Sequence, residues 1–182
     1  MPSQPNDARL VQQAIAGDRE AFGDLYELHL DSIYRYIFYR LNDEREAEDL
    51  TETVFLKAWE ALNRYRPSEI PFAAWLYRIA HNLLVDRHRT HKRLDSLDEH
   101  YSDPQTDPET RALHNVDAAV IVQALTQLDP SHQQVLTLRF INGHSHAETA
   151  QIMERSETNV RVLQHRALAA LRRLAAGKID HG

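Results

Sequence analysis

The chain has 182 residues, 42% of them hydrophobic, a length that suits one or two small domains and excludes a large multidomain enzyme. No cysteine occurs, which excludes a disulfide framework and any thiolate metal site. With 21 Lys and Arg against 27 Asp and Glu, the formal net charge is −6, so any binding to nucleic acid must be local rather than spread over the surface.

Only 5 glycines and 7 prolines punctuate long runs of Ala, Leu, Glu, Arg and Gln, so the expected fold class is all-α: two small helical domains joined by a flexible acidic linker, the second containing a helix-turn-helix. The opening MPSQPNDARL lacks the basic and apolar regions of a signal peptide, and no apolar run approaches the roughly 20 residues that span a bilayer. The expectation is a cytoplasmic protein with no membrane insertion.

In chain order, residues 1–7 read as an arm and residues 8–94 as the first domain. A first helix is predicted over Ala8 to Ala16, ended by Gly17, and a second from its N-cap Asp18 to about Leu41. The second buries Phe22, Leu25, Tyr26, Ile33, Ile37 and Leu41, with His29 on the same face as a hydrogen-bonded core residue. A third helix, from about Glu44 to Tyr65, turns Ala47, Leu50, Thr51, Val54, Ala58, Ala61 and Leu62 inward. Leu56 and Trp59 project nearly opposite, beside Glu48 and Glu52. Large apolar groups rimmed by carboxylates suit a docking patch, and the other reading packs Trp59 on a neighbouring helix of its own domain.

After a loop from Arg66 to Pro71, a fourth helix over residues 71–93 carries Phe72, Trp75, Leu76, Ile79, Ala80, Leu83 and Leu84 as a buried stripe. Arg78, His81, Asn82, Arg89 and Lys92 fall on the other side and continue into Arg87, His88 and Arg93. Such a basic end grips phosphate, although cations in a last turn also serve the helix dipole alone. Residues 95–114, with two Asp-Pro steps and clustered carboxylates, read as the linker.

The second domain, residues 115–178, starts with a stripe of Val116, Val120, Ala124 and Leu128 that stops at Asp129-Pro130. Ser131 is expected to cap the next helix, which carries Val135, Leu136, Leu138 and Phe140 and closes at Asn142-Gly143. Ser145 and Glu148 form a capping box for a short helix with Ala150, Ile152 and Met153. Glu154 to Glu157 make the turn, and Ser156 caps the last helix, with Val160, Leu163, Ala167, Leu171 and Leu174 inward. Residues 179–182 are a tail.

A short helix, tight turn and longer basic helix make a helix-turn-helix, in which the second helix reads base edges from the major groove. Its candidate readers are Glu157, Thr158, Asn159, Arg161, Val162, His165 and Arg166. Arg161 or Arg166 suits guanine and Val162 a thymine methyl, while an ordinary helical hairpin with a basic outer face is the plainer alternative. The fourth helix suits unstacked bases instead, because aromatic faces and an Asn beside cations need separated strands. With no phosphate-cradling glycine loop and no nucleophile elbow, no enzyme and no cofactor are expected. Among 11 histidines, His144 with His146 and His88 with His91 are spaced for metal but lack third and fourth ligands, so no metal is expected.

These residues resemble the extracytoplasmic-function (ECF) subgroup of bacterial RNA polymerase sigma factors over nearly the whole chain. EAEDLTETVFLKAWEAL at 46–62 is similar to the polymerase-docking helix, FAAWLYRIAHNLLVDRHR at 72–89 to the promoter-melting helix, and residues 115–175 to the second promoter-binding domain. The resemblance implies that Glu48, Asp49, Glu52, Leu56 and Trp59 meet core RNA polymerase. It implies that Asn82 and the loop from Tyr65 to Ile70, with Arg66 and Ser68, hold an extruded base of the −10 element, with Arg78, Arg87, Arg89 and Lys92 near its backbone. The last helix would read the −35 element of promoter DNA, and an anti-sigma factor would cover these surfaces. Thr53, Thr149, Glu154 (a frequent glycine position) and the order Leu163-Gln164 depart from the usual pattern, so the −35 sequence is not readable by analogy. The chain's end at Gly182 carries the expectation that no sensor domain is appended. The rival reading is a stand-alone helix-turn-helix regulator with an N-terminal sensing or dimerisation domain; weaker still is a helical interaction module for an acidic partner.

Overall fold

The computed structural model describes residues 5–95 and 116–179, and among these residues the regular elements are all helical. The linker assigned to residues 95–114 lies, apart from Asp95, outside the described residues.

Helix α1 (Pro5–Ile15) buries Leu10, Val11 and Ala14 and stops where Gly17 takes a φ of +99°, a backbone that side chains resist. The Asp18 carboxylate accepts from the backbone N–H groups of Glu20 and Ala21 at 3.0 and 3.2 Å and so starts α2 (Arg19–Leu41). Asp43 does the same for α3 (Glu44–Ala61), accepting from Glu46 at 2.8 Å. That helix ends earlier than Tyr65 because Leu62–Arg64 tighten into a 3-10 turn, which frees Tyr65 to enter the core. Helix α4 (Phe72–Asp95) begins one residue after Pro71. Leu25, Ile33, Tyr36, Ile37, Val54, Leu76 and Tyr77, all nearly without solvent contact, knit α2, α3 and α4 into one core. Fully burying side chains of this size contributes about 1.5–3 kcal/mol each.

In the second half, α5 (Val116–Thr126) is followed by α6 (Pro130–Leu136). Asp129, not Ser131, caps α6, accepting from the Ser131 N–H at 2.9 Å. The reason is local: Pro130 has no N–H and a fixed φ, so it fits the first helical position and leaves the cap to the residue before it. Residues Thr137–Ile141 then widen into a π turn. The extra residue in that turn rotates the face, so Leu138 is fully buried while Phe140, two residues on, is 57% exposed. Helix α7 (His146–Met153) carries the capping box foreseen, with Glu148 N–H to Ser145 Oγ at 3.1 Å and Ser145 N–H to Glu148 Oε2 at 2.7 Å. Ser156 Oγ accepts from the Asn159 N–H at 3.2 Å at the start of α8 (Glu157–Ile179). Val160 and Ala167, fully buried, anchor α8 on α6 and α7.

The two halves pack on each other. Leu138 and Ile152 join the core of α1 to α4. Asn142 Nδ2 donates to the Ser32 carbonyl at 2.7 Å and to the Tyr77 hydroxyl at 3.1 Å, and Arg35 donates to the Ile141 carbonyl. The His144 ring meets Tyr77 edge-on at 4.9 Å, and burial lowers its pKa to about 4 although the Glu148 carboxylate opposes the shift and Arg139 adds to it.

Closure is therefore expected to weaken in acid. A His144 released from Tyr77 would titrate near its ordinary 6.5, against about 4 when covered, so protonation favours separation. The contribution of neutral His144 is intact above pH 6.5 and is lost as pH falls toward 4, by about 1.4 kcal/mol per unit within that window. Interdomain energy transfer should fall over this range at constant far-UV circular dichroism, and less so in His144→Gln. An identical response in that variant would remove His144 as the cause.

Candidate docking and nucleic-acid interfaces

On α3 the capped start and inward stripe leave Glu48, Asp49 and Glu52 exposed on the outer face. Leu56, 58% exposed, and Trp59, 37% exposed, continue that face one and two turns on. The Trp59 ring also rests edge-on against Phe22 of α2, centroids 4.8 Å apart. One side of the Trp59 ring thus packs on its own domain, as one of the two sequence readings has it, and the other side is exposed to solvent.

The loop after α3 corrects one expectation. Tyr65 is only 5% exposed, stacked on Trp75 at 4.6 Å and edge-on to Phe72 at 5.6 Å, and its hydroxyl donates to the Ile70 carbonyl at 2.6 Å. Burial, reinforced by Asp7, pushes its pKa up to about 12. A ring held this way braces the loop and is not free to stack on a base. Arg66 and Ser68 are exposed, and Arg66 donates to the Asn63 and Tyr65 carbonyls at 3.1 Å each, folding the loop onto itself.

Beside that loop, Lys57, Glu60, Arg64, Trp75, Ile79, Asn82, Leu83 and Asp86 line a groove of about 530 Å³. Exposed Asn82 offers an amide that can donate and accept, Trp75 an aromatic ring, and Lys57 and Arg64 positive charge at the rim. Sequence reading missed Lys57 and Arg64 as parts of this site. They sit seven residues apart, two helical turns, and that spacing was the available signal.

The cations of α4 are not equally available. Arg78 is held by Glu154 and the Gln151 carbonyl, and Arg87 by Glu46 of α3. His81 lies 3.3 Å from Arg40, and burial, together with that guanidinium, lowers its pKa to about 4, which makes it neutral. Arg89 is exposed, with Asp86 4.0 Å away. Lys92 lies on α4, but its side chain is outside the described residues.

Along α8, Glu157, Thr158, Asn159, Arg161, Val162, His165 and Arg166 are all exposed. They share one side because Val160, Leu163 and Ala167 turn the opposite side into the core, and Gln164 accepts from Arg139 at 3.0 Å to fix the helix on the π turn. Arg161 lies 3.4 Å from Glu157, an exposed i,i+4 pair that either side chain can leave at little cost. Among the described residues no group of three or more His, Asp or Glu side chains could hold a metal ion, and no helix is long and apolar enough to cross a membrane.

Residues 25–94 match the family Sigma-70 region 2, and residues 124–173 match Sigma-70, region 4. The chain is 38% identical over 169 residues to the ECF RNA polymerase sigma factor BldN of Streptomyces coelicolor, a match that covers 91% of this chain and 64% of that longer protein. It is 36% identical over 179 residues to the ECF RNA polymerase sigma factor ShbA of Streptomyces griseus, covering 91% of this chain and 93% of the relative. In three dimensions it is similar to CnrH, solved in complex with the cytosolic domain of CnrY, with 28% identity, a TM-score of 0.71 and coverage of 94% of this chain and 98% of that one. With region 2 ahead of region 4 and a relative 36% identical over most of both chains, the chain belongs to the ECF RNA polymerase sigma factors.

Proposed function

We propose that this chain binds core RNA polymerase through the outer face of α3 and directs initiation at promoters whose −35 element is read by α8 and whose −10 element is opened at α4. The observation that carries this reading is the exposure of Leu56 and Trp59 on a carboxylate-rimmed face, together with two separate surfaces suited to DNA. A stand-alone regulator could use such a face to dimerise, but its rim of carboxylates would repel the same rim on a second copy. The working units are residues 8–94 and 115–178, and the protein supplies recognition and strand separation without chemistry of its own, in the cytoplasm where polymerase acts. Glu48, Asp49 and Glu52 orient the polymerase, and Leu56 and Trp59 supply the buried contact. CnrH was solved in complex with the cytosolic domain of CnrY, and by that similarity this chain takes an anti-sigma partner, for which the exposed faces of α3 and α8 are the available surfaces.

The decisive experiment is transcription by purified core polymerase, with and without the chain, on promoter DNA from its own genome. Initiation that is independent of the chain, combined with tight duplex binding by the chain alone, would overturn the reading in favour of a stand-alone regulator.

Within this reading Asn82, in the groove with Trp75, contacts an extruded base of the −10 element. Asn82→Ala should lower open-complex formation by about five- to thirtyfold, the equivalent of one or two lost hydrogen bonds, with polymerase association unchanged. Unaltered permanganate reactivity of promoter thymines would count against that role.

A further inference from the structure

Arg40, in the last turn of α2, is a buried cation without a counter-charge. It is only 6% exposed, because it lies one turn beyond Tyr36 on the face that α2 turns inward. Its Nη1 donates to the Tyr36 hydroxyl at 2.7 Å and lies 3.3 Å from His81 Nδ1, while its Nε is buried with no hydrogen-bond partner. Neither neighbour is an anion. Burial raises the Tyr36 pKa and keeps the phenol protonated, and His81, with its pKa lowered to about 4, is neutral. The Tyr36 ring, 5.2 Å from the guanidinium carbon, attracts the cation through its quadrupole but brings no charge. Among the described residues no carboxylate pairs with Arg40. An arginine cannot shed its proton to relieve burial, so this arrangement is at its most stable when an anion completes it.

There is room for one. Arg40 forms part of the wall of a cavity of about 340 Å³, to which α4 contributes Arg87, His88 and Arg89. None of the described residues lining it is a carboxylate, in a chain with 27 acidic side chains against 21 Lys and Arg. Arg87 is committed to Glu46, but Arg89 is exposed and only 4.0 Å from Asp86, a pairing that is lost at little cost. Leu41, Leu84, Leu128 and Pro130 make the rest of the wall apolar. The combination is a recessed, fixed guanidinium, a second one free to swing in, an imidazole, and a greasy lining. Guanidinium forks match the oxygens of phosphate, and the donors of Arg40, Arg89 and His88 outnumber what the two oxygens of a carboxylate place well. The volume is that of a site for a small organic molecule.

We propose that this cavity binds a small phosphomonoester, with its phosphate on Arg40 and Arg89 and its organic body against Leu84 and Leu128. A DNA backbone carries the same chemical group as a diester. A strand lying along the surface, however, does not bring its phosphates to a guanidinium as recessed as Arg40, whereas a monoester enters the cavity phosphate first.

Titration calorimetry on the full chain tests the site, with phenyl phosphate and inorganic phosphate as probes. Phenyl phosphate should bind saturably, about tenfold tighter than inorganic phosphate because its ring is buried on the apolar wall, and should raise the thermal midpoint. Arg40→Met should weaken phenyl phosphate binding about ten- to a hundredfold, the loss of a hydrogen-bonded charge contact. The same variant without ligand should keep or raise its thermal midpoint, since it removes a buried charge that has no partner. Arg89→Ala, at an exposed position that does not burden the fold, should weaken binding about two- to fivefold. Absence of saturable binding by either probe overturns the site, as does unchanged affinity in both variants. A lowered thermal midpoint in Arg40→Met with phenyl phosphate binding intact makes Arg40 a structural cation and overturns its role. Displacement of phenyl phosphate by an oligothymidylate lacking terminal phosphates overturns the small-ligand reading in favour of a DNA backbone.

Discussion

Trp59→Ala is expected to weaken core polymerase binding by about thirty- to a thousandfold, the 2–4 kcal/mol typical of an aromatic anchor at an interface centre. Trp59 has what such an anchor needs: an exposed ring edge, a neighbouring exposed Leu56, and a rim of Glu48, Asp49 and Glu52 that discourages other partners. The substitution also removes the edge-on contact with Phe22, so about 0.5–1.5 kcal/mol of folding stability is lost from that pair, in addition to the apolar burial of the rest of the ring. Leu56→Ala separates the two effects, because Leu56 is mostly in solvent and its removal should leave stability within about 0.5 kcal/mol while still reducing polymerase affinity. Equilibrium binding to core enzyme and urea denaturation of each variant give both numbers. Wild-type affinity in Trp59→Ala would leave the ring with a packing role only.

Tyr65→Ala should destabilise the fold by about 3–5 kcal/mol, as expected for removing a buried aromatic ring. The ring is enclosed by Trp75 and Phe72, and its hydroxyl ties the loop to Ile70. Tyr65→Phe keeps the ring but leaves the Ile70 carbonyl without that donor, for a loss of about 1 kcal/mol. Chemical denaturation tests both. A Tyr65 that stacked on an extruded base would behave oppositely: the Ala variant would stay folded and fail to melt promoters. That outcome would return Tyr65 to the DNA-contacting set.

Helix limits were largely legible from local chemistry. Asp18, Asp43 and Ser145 each satisfy backbone donors within three residues, and such caps act over one turn of chain. The inward stripes of α3 and α8 followed from their period for the same reason. Misreadings arose where a local rule had competitors. Pro130 shifted a cap by two residues, and a 3-10 turn carried Tyr65 from an expected loop site into the core. In the candidate sites, exposed α8 residues and Asn82 were recoverable because one helix presents each set. Lys57 and Arg64 were missed because the groove borrows them from the end of a different helix.

By itself the sequence determined the helical class, most element boundaries, the outward apolar face of α3 and the order of two regions that marks the family. All of these depend on side chains within a few positions of one another, or on motifs carried by single helices. Only the tertiary structure decided which cations are free and how the halves meet. Arg78 bonds a carbonyl 73 positions away, and Asn142 one 110 away. Pairings of that span depend on which apolar faces bury together, and Leu138 and Ile152 join the first core only once the chain has folded back on itself.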